Sequence, residues 1–184
     1  FVSVSTNGAD YSAPRIHFTY HEVVTVTNLY PPQGPQQGRT LVSVEGTNFV
    51  QSASLKCRFA TVVVDATFVT TSLVNCTAPA MPAGFATVQV SNNGVDYSNS
   101  TISYLYVQGV TVELLTPNAG PRMGGTTVAV HGTNLMPGST CRFGELVASA
   151  ATLASSEELR CVAPPQLAGR VAIEVTSNMQ EFTR

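Results

Sequence analysis

The chain has 184 residues, a net charge of -2, 43% hydrophobic and 11% charged residues, four cysteines and no tryptophan, which is room for one large or two small domains. Nine Lys+Arg, of which only Lys56 is a lysine, cannot build a basic face against a row of phosphates, so no nucleic acid is expected as partner. No apolar run reaches the roughly 20 residues of a spanning helix, so no direct membrane insertion is expected, and Phe1 begins in mid-pattern without a targeting sequence.

Valine and threonine together supply about a quarter of the residues, and β-branched side chains at that density favour strands. The chain repeats itself at an offset of eighty-six residues: Gly34-Pro35 falls on Gly120-Pro121, Gly38-Arg39-Thr40 on Gly124-Gly125-Thr126, and Gly46-Thr47-Asn48 on Gly132-Thr133-Asn134. Further on the offset slips by one or two residues, and Cys57-Arg58-Phe59 matches Cys141-Arg142-Phe143 while Cys76-Thr77-Ala78-Pro79 matches Cys161-Val162-Ala163-Pro164. A third copy is present as a tail, because Val2 to Ser12 matches Val88 to Ser98, and Ile16, Phe18 and Tyr20 match Ile102, Tyr104 and Tyr106. The expected organisation is the last two strands of one unit over 1–22, a complete unit over 23–107, and a unit lacking its last strand over 108–184.

In chain order the complete unit alternates apolar and polar positions at Val42/Val44, Leu55/Cys57/Phe59, Val74/Cys76, Val88/Val90 and Ile102/Tyr104/Tyr106. The next unit does so at Val128/Val130, Cys141/Phe143, Leu159/Cys161 and Val171/Ile173/Val175. Period 2 with turn residues every 8–12 positions predicts β-sandwiches, and only Ala148 to Leu159 has room for a helical turn. Asn7-Gly8 and Asn93-Gly94 lie between apolar strands and predict tight hairpins. Pro31-Pro32 and Pro117 predict the ends of the first strands. Gln33 to Gln37 reads as an exposed, uncharged loop. Only Val107-Gln108-Gly109 separates Tyr106 from Val110, a joint short enough to predict a rod with limited bending.

Each unit holds one cysteine pair, Cys57 with Cys76 and Cys141 with Cys161. Alternation points all four inward, so a bridge between the two sheets or between adjacent strands is geometrically feasible. Four buried free thiols are the alternative, and a zinc site fits worse because no C-x-x-C or Cys/His cluster exists. Two sequons, Asn75-Cys76-Thr77 and Asn99-Ser100-Thr101, are candidate acceptors of covalently attached N-linked glycans. Asn75 is expected to point outward beside an inward cysteine, and Asn99 to begin an edge strand. Paired cysteines and sequons together predict an oxidising, secretory destination.

The ordered set Gly34-Pro35, Gly46-Thr47-Asn48-Phe49, Cys57-Arg58-Phe59, Cys76-Thr77-Ala78-Pro79 and Asn93-Gly94-Val95-Asp96-Tyr97-Ser98 resembles the IPT/TIG domain, an immunoglobulin-like fold shared by plexins and transcription factors. The resemblance repeats in the following unit and covers nearly the whole chain. It departs where Arg39 replaces the second glycine of Gly-Gly-Thr, and where Asn178-Met179-Gln180-Glu181-Phe182 replaces the Asn-Gly-x-Asp-Tyr turn. It implies an all-β architecture of tandem sandwiches with about seven strands per complete unit and the cysteines tied between strands. Tandem arrays of this kind are similar to the ectodomains of plexins and growth-factor receptors, and to long fibrocystin-like surface proteins of cilia.

Chemistry for catalysis is not expected. His17 and His21 stand four apart on an extended segment, roughly 13 Å from one another, and His131 is remote. Asp10 and Asp96 fall in turns without the six or more oxygens that a calcium ion takes, and no cofactor or metal is expected. Tyr30, Tyr97 and Tyr106 read as core or joint packing rather than a carbohydrate platform. The expected role is non-enzymatic: spacing, adhesion or filament assembly in an extracellular or cell-surface array, ciliary surfaces included, with neighbouring repeats, other protomers or other proteins as partners. The alternative is the stalk of a receptor ectodomain. An accessory domain of a glucan-acting enzyme and a DNA-binding module rank below both.

Overall fold

The computed structural model describes residues 2–12, 17–148 and 150–183, and every regular element among them is a strand. The central unit contains β1 (Thr25–Tyr30), β2 (Gln33–Pro35), β3 (Leu41–Thr47), β4 (Lys56–Phe59), β5 (Val62–Thr70), β6 (Leu73–Thr77), β7 (Gly84–Ser91) and β8 (Ser103–Val107). The next unit contains β9 (Thr111–Thr116), β10 (Thr127–Thr133), β11 (Thr140–Phe143), β12 (Leu146–Val147), β13 (Ala151–Ser155), β14 (Glu158–Val162) and β15 (Ile173–Thr176).

The central strands run in the order β1-β3-β6-β5-β4-β7-β8-β2. β5 belongs to both layers of the sandwich, since Val62 to Asp65 pair with β4 while Ala66 to Thr70 pair with β6. In the second unit the two layers are separate sheets, β13-β14-β10-β9 and β12-β11-β15. Inward positions two apart along each strand fill two distinct cores. The first holds Leu29, Val42, Val44, Phe59, Val74, Val88, Val90, Tyr104 and Tyr106 around Cys57 and Cys76. The second holds Val128, Val130, Phe143, Leu159 and Val175 around Cys141 and Cys161. Each fully buried large apolar side chain contributes about 1.5–3 kcal/mol.

Several sequence expectations change here. Residues 17–24 and the described part of 2–12 carry no strand beyond an isolated bridge at Val2. A lone hairpin is marginal in water, and the described residues before Thr25 join neither layer of the central sandwich. Ile16, matched to Ile102 by the repeat, lies outside the described residues. The stretch from Ala148 to Leu159 makes β13 and the start of β14 instead of a helical turn, because Leu153 pairs with Leu159 and Ala151 with Cys161 in an antiparallel ladder. Gln33–Pro35 is a strand rather than a loop, lying parallel to β8. β8 is therefore flanked by β7 and β2, and Asn99 does not lead into an edge strand. Val171 stays exposed ahead of β15.

Candidate functional site

The recurring motifs converge on the ends of the sandwiches, where units meet. Gly46 and Gly132 sit where the backbone of the first strand presses closest: a Cβ there would lie 2.0 Å from the Thr25 carbonyl oxygen and 1.9 Å from that of Thr111. Two residues later Asn48 and Asn134 take φ of 63° and 58°. Their Nδ2 groups donate to the carbonyls of Val23 and Gly109 at 2.8 and 3.0 Å, tying each incoming joint to its sandwich. Asn tolerates this left-handed backbone better than most residues.

Asn93-Gly94 does not make a two-residue hairpin. Asn93 Oδ1 accepts the N–H groups of Val95 and Asp96 at 3.0 and 2.9 Å, and its Nδ2 donates to Asp96 Oδ2 at 2.8 Å. The side chain thereby organises a wider loop, closed where Ser98 N–H donates to the Val90 carbonyl and Ser98 Oγ accepts from Val90 N–H. Asn7, Asp10 and Ser12 repeat the same bonds in the tail. The loop starting at Asn178 also keeps them, against the expectation that it had lost the turn. Asn178 Oδ1 accepts from Gln180 and Glu181, Glu181 takes the place of Asp96, and Met179 adopts φ 64° where Gly94 has 76°. Arg58 lies over the Tyr97 ring at 4.0 Å, and Arg142 over Phe182 at 3.9 Å, each a cation–π contact.

Arg39 likewise keeps the backbone of the glycine it replaces. Its φ is 75° against 83° at Gly125, and its N–H donates to the Ala78 carbonyl as that of Gly125 donates to Ala163. The demanding position is the preceding one. A Cβ on Gly38 would meet the backbone of Ala78, Pro79 and Ala80 at 2.5–2.7 Å, whereas one on Gly125 would meet open space.

Gln108, Gly109 and Val110 alone separate β8 from β9, and the second unit reaches back over them. Gln180, at the tip of the Asn178 loop, accepts from Leu41 N–H at 2.8 Å and donates to the Leu41 carbonyl at 3.0 Å, so its carboxamide pairs with β3 as a peptide group would. Gln33 Nε2 lies 3.1 Å from Met136 Sδ on the other unit. Between these contacts runs an open groove of about 910 Å³ lined by Gln37, Arg39, Gln108, Arg142, Glu174 and Gln180 among others.

Cys57 on β4 and Cys76 on β6 are joined by a disulfide with Cα atoms 6.3 Å apart, and Cys141 on β11 and Cys161 on β14 by another with 6.1 Å. Both cross from one layer to the other, which selects the inter-sheet geometry over the adjacent-strand one. Asn75 is half-buried on the outer face of β6, and Asn99 is exposed in the loop before β8. Tyr106 is in the core, Tyr97 supports Arg58, and Tyr30 stands exposed. Burial pushes the Tyr104 hydroxyl up to about 12, with Glu181 adding to the effect, and raises Tyr106 further. His17 and His21 lie on the tail, His131 on β10. Among the described residues no three His, Cys, Asp or Glu gather to hold a metal ion.

The IPT/TIG domain family profile matches residues 25–106 and 111–183. Plexin-A4 of Mus musculus is 29% identical over 128 residues, covering 62% of this chain and 7% of its own length. Plexin-A3 of Rattus norvegicus is 27% identical over 144 residues, covering 73% of this chain and 7% of its own. The full extracellular region of plexin A4, domains 1 to 10, superimposes with a TM-score of 0.60 at 20% identity, over 83% of this chain and 14% of that one. At that identity the superposition speaks for the fold, which is the same tandem sandwich. With the glycine and asparagine signatures in place in both units and the family profile covering both, the chain belongs to the IPT/TIG domain family.

Proposed function

We propose that this segment is a spacer in the stalk of a receptor ectodomain, holding neighbouring units at a set distance and angle outside the cell. The observation that carries this reading is the joint: three residues of linker, bridged by the paired hydrogen bonds between Gln180 and Leu41. Limited contact across a long linker leaves domains free to move, whereas a linker this short with contacts on both sides restricts them. The relatives named plexins, and the extracellular region that shares the fold, support the receptor setting over adhesion or filament assembly, which draws on low surface charge alone. The chain spans only 7% of the length of those relatives. Inter-sheet disulfides suit an oxidising compartment. The role assigned here is mechanical, without catalysis.

Residual dipolar couplings measured on the whole chain test this. A spacer gives one alignment tensor common to both sandwiches, and Gln180→Ala splits it into two. Two independent tensors in the unmodified chain overturn the reading.

A further inference from the structure

We propose that Asn75 carries an N-linked glycan whose first sugars lie across β3 onto Tyr30, covering the outer face of the β1-β3-β6-β5 layer. This rests on the secretory reading above. Asn75 is an inner member of a cross-strand row of Tyr30 on β1, Ser43 on β3, Asn75 on β6 and Thr67 on β5. All four side chains are on the solvent side of the layer, because their chain neighbours Leu29, Val42, Val44, Val74 and Cys76 fill the core.

Three features make this position an acceptor and its surroundings a cover site. First, Ser43 Oγ donates to Asn75 Oδ1 at 3.0 Å, which orients the side chain on the outer face with its oxygen toward β3 and its nitrogen, the atom that carries the sugar at any sequon, outside that bond. Thr77, the hydroxyl residue of the sequon, is exposed on the same face. Second, the face carries exposed apolar side chains among its polar ones: Tyr30 is 71% exposed, Leu41 50% and Val69 44%, and a glycan beside Tyr30 is placed to shield its ring. Third, the distance fits. Tyr30 lies two strands from Asn75, about 10 Å away, a span that the asparagine side chain and two linked sugars cross, presenting the apolar face of a pyranose to the ring. The protein contact between Gln180 and Leu41 then sits at one end of this face and the glycan over its β1-β3 side.

The modification is a group transfer from a lipid-diphosphate-linked oligosaccharide, catalysed by a membrane transferase. Asn75 Nδ2 forms a bond to the anomeric carbon of the first N-acetylglucosamine, the bond from that carbon to the diphosphate oxygen breaks, and the lipid diphosphate leaves with the amide proton. Asn75 Oδ1 is unchanged and continues to accept from Ser43.

The test expresses the whole chain through the secretory pathway of an animal cell line and maps its peptides by mass spectrometry, non-reduced and reduced. Hydroxyl-radical footprinting of Tyr30 is run before and after enzymatic removal of N-glycans. The expected result is an N-acetylhexosamine-containing glycan on most Asn75 peptides, abolished by Thr77→Ala, with Tyr30 oxidation at least doubled once the glycan is removed. A bare Asn75 in material whose cysteines are linked overturns the site and leaves the compartment standing, and Asn99 is then read separately. An occupied Asn75 with unchanged Tyr30 oxidation overturns the covering of the face. Free thiols with both asparagines bare overturn the secretory reading itself.

Discussion

Replacing Cys57 and Cys76 together by alanine removes the disulfide that ties β4 in one layer of the central sandwich to β6 in the other. The bridge closes a loop of nineteen residues across the layers, and the chain-entropy expression assigns such a loop about 3 kcal/mol at room temperature. Both residues are fully buried, so the loss of two packed sulfurs adds roughly 1 kcal/mol more. For a unit of 60–100 residues, each kcal/mol moves the midpoint by about 4–8 °C, and the expected fall is roughly 15–30 °C. Differential scanning calorimetry of the whole chain reads it, with the Cys141–Cys161 unit as an internal reference that keeps its own bridge. A fall of less than about 5 °C in the central unit's transition refutes the reasoning, since the folded layers would then be held together by packing alone. A drop of equal size in both units refutes it too, because the perturbation belongs to one core.

Two further outcomes follow from the loops and the buried tyrosines. Gly38→Ala is expected to cost more than about 2 kcal/mol, combining the left-handed φ of 70° with a Cβ 2.5–2.7 Å from backbone atoms, whereas Arg39→Gly at φ 75° is neutral or stabilising by up to about 1 kcal/mol; urea denaturation of both variants checks the contrast, and equal losses contradict it. Tyr104 holds its proton to about 12 in the folded chain against 10.0 unfolded, so the folded state binds more protons between those values and stability, complete below pH 10, falls as pH rises toward 12. The Tyr104 share is about 3 kcal/mol for two pH units, and Tyr106, also raised by burial, adds to the same fall; denaturant melts across that range show it, and Tyr104→Phe makes the slope shallower without abolishing it.

The fold was legible because strands, turns and the repeat share one period. Alternation placed Val42, Val44, Val88, Val90, Tyr104 and Tyr106 inward, and all six are buried. What pattern reading could not separate was the residue a loop requires from the residue it tolerates. Gly38 and Arg39 are neighbours with nearly the same φ, yet only the first has backbone packed where a Cβ would go. Met179 and Glu181 looked like the loss of a turn, but the turn depends on the Asn178 carboxamide and on any carboxylate that reaches its nitrogen. In both places the side chain that stands where the signature has a glycine, Arg39 or Met179, is exposed, and the backbone conformation survives at a modest cost in strain.

The joint was hidden for a different reason. The shortness of Val107-Gln108-Gly109 is a local property and can be counted, but the contact that steadies it links residues 139 positions apart. Gln180 carries no signature, since a glutamine at a loop tip is ordinarily a solvated side chain. It becomes a clamp only because the Asn178 loop keeps its shape and the short linker brings that loop to the first residue of β3. The preserved turn and the clamp are thus one fact: Asn178→Ala, which removes the acceptor for the Gln180 and Glu181 N–H groups, is expected to release Leu41 without touching it. Amide exchange at Leu41 reports that release. If Leu41 N–H exchanges no faster in Asn178→Ala than in the unmodified chain, the loop and the joint are independent, and rigidity comes from the linker alone.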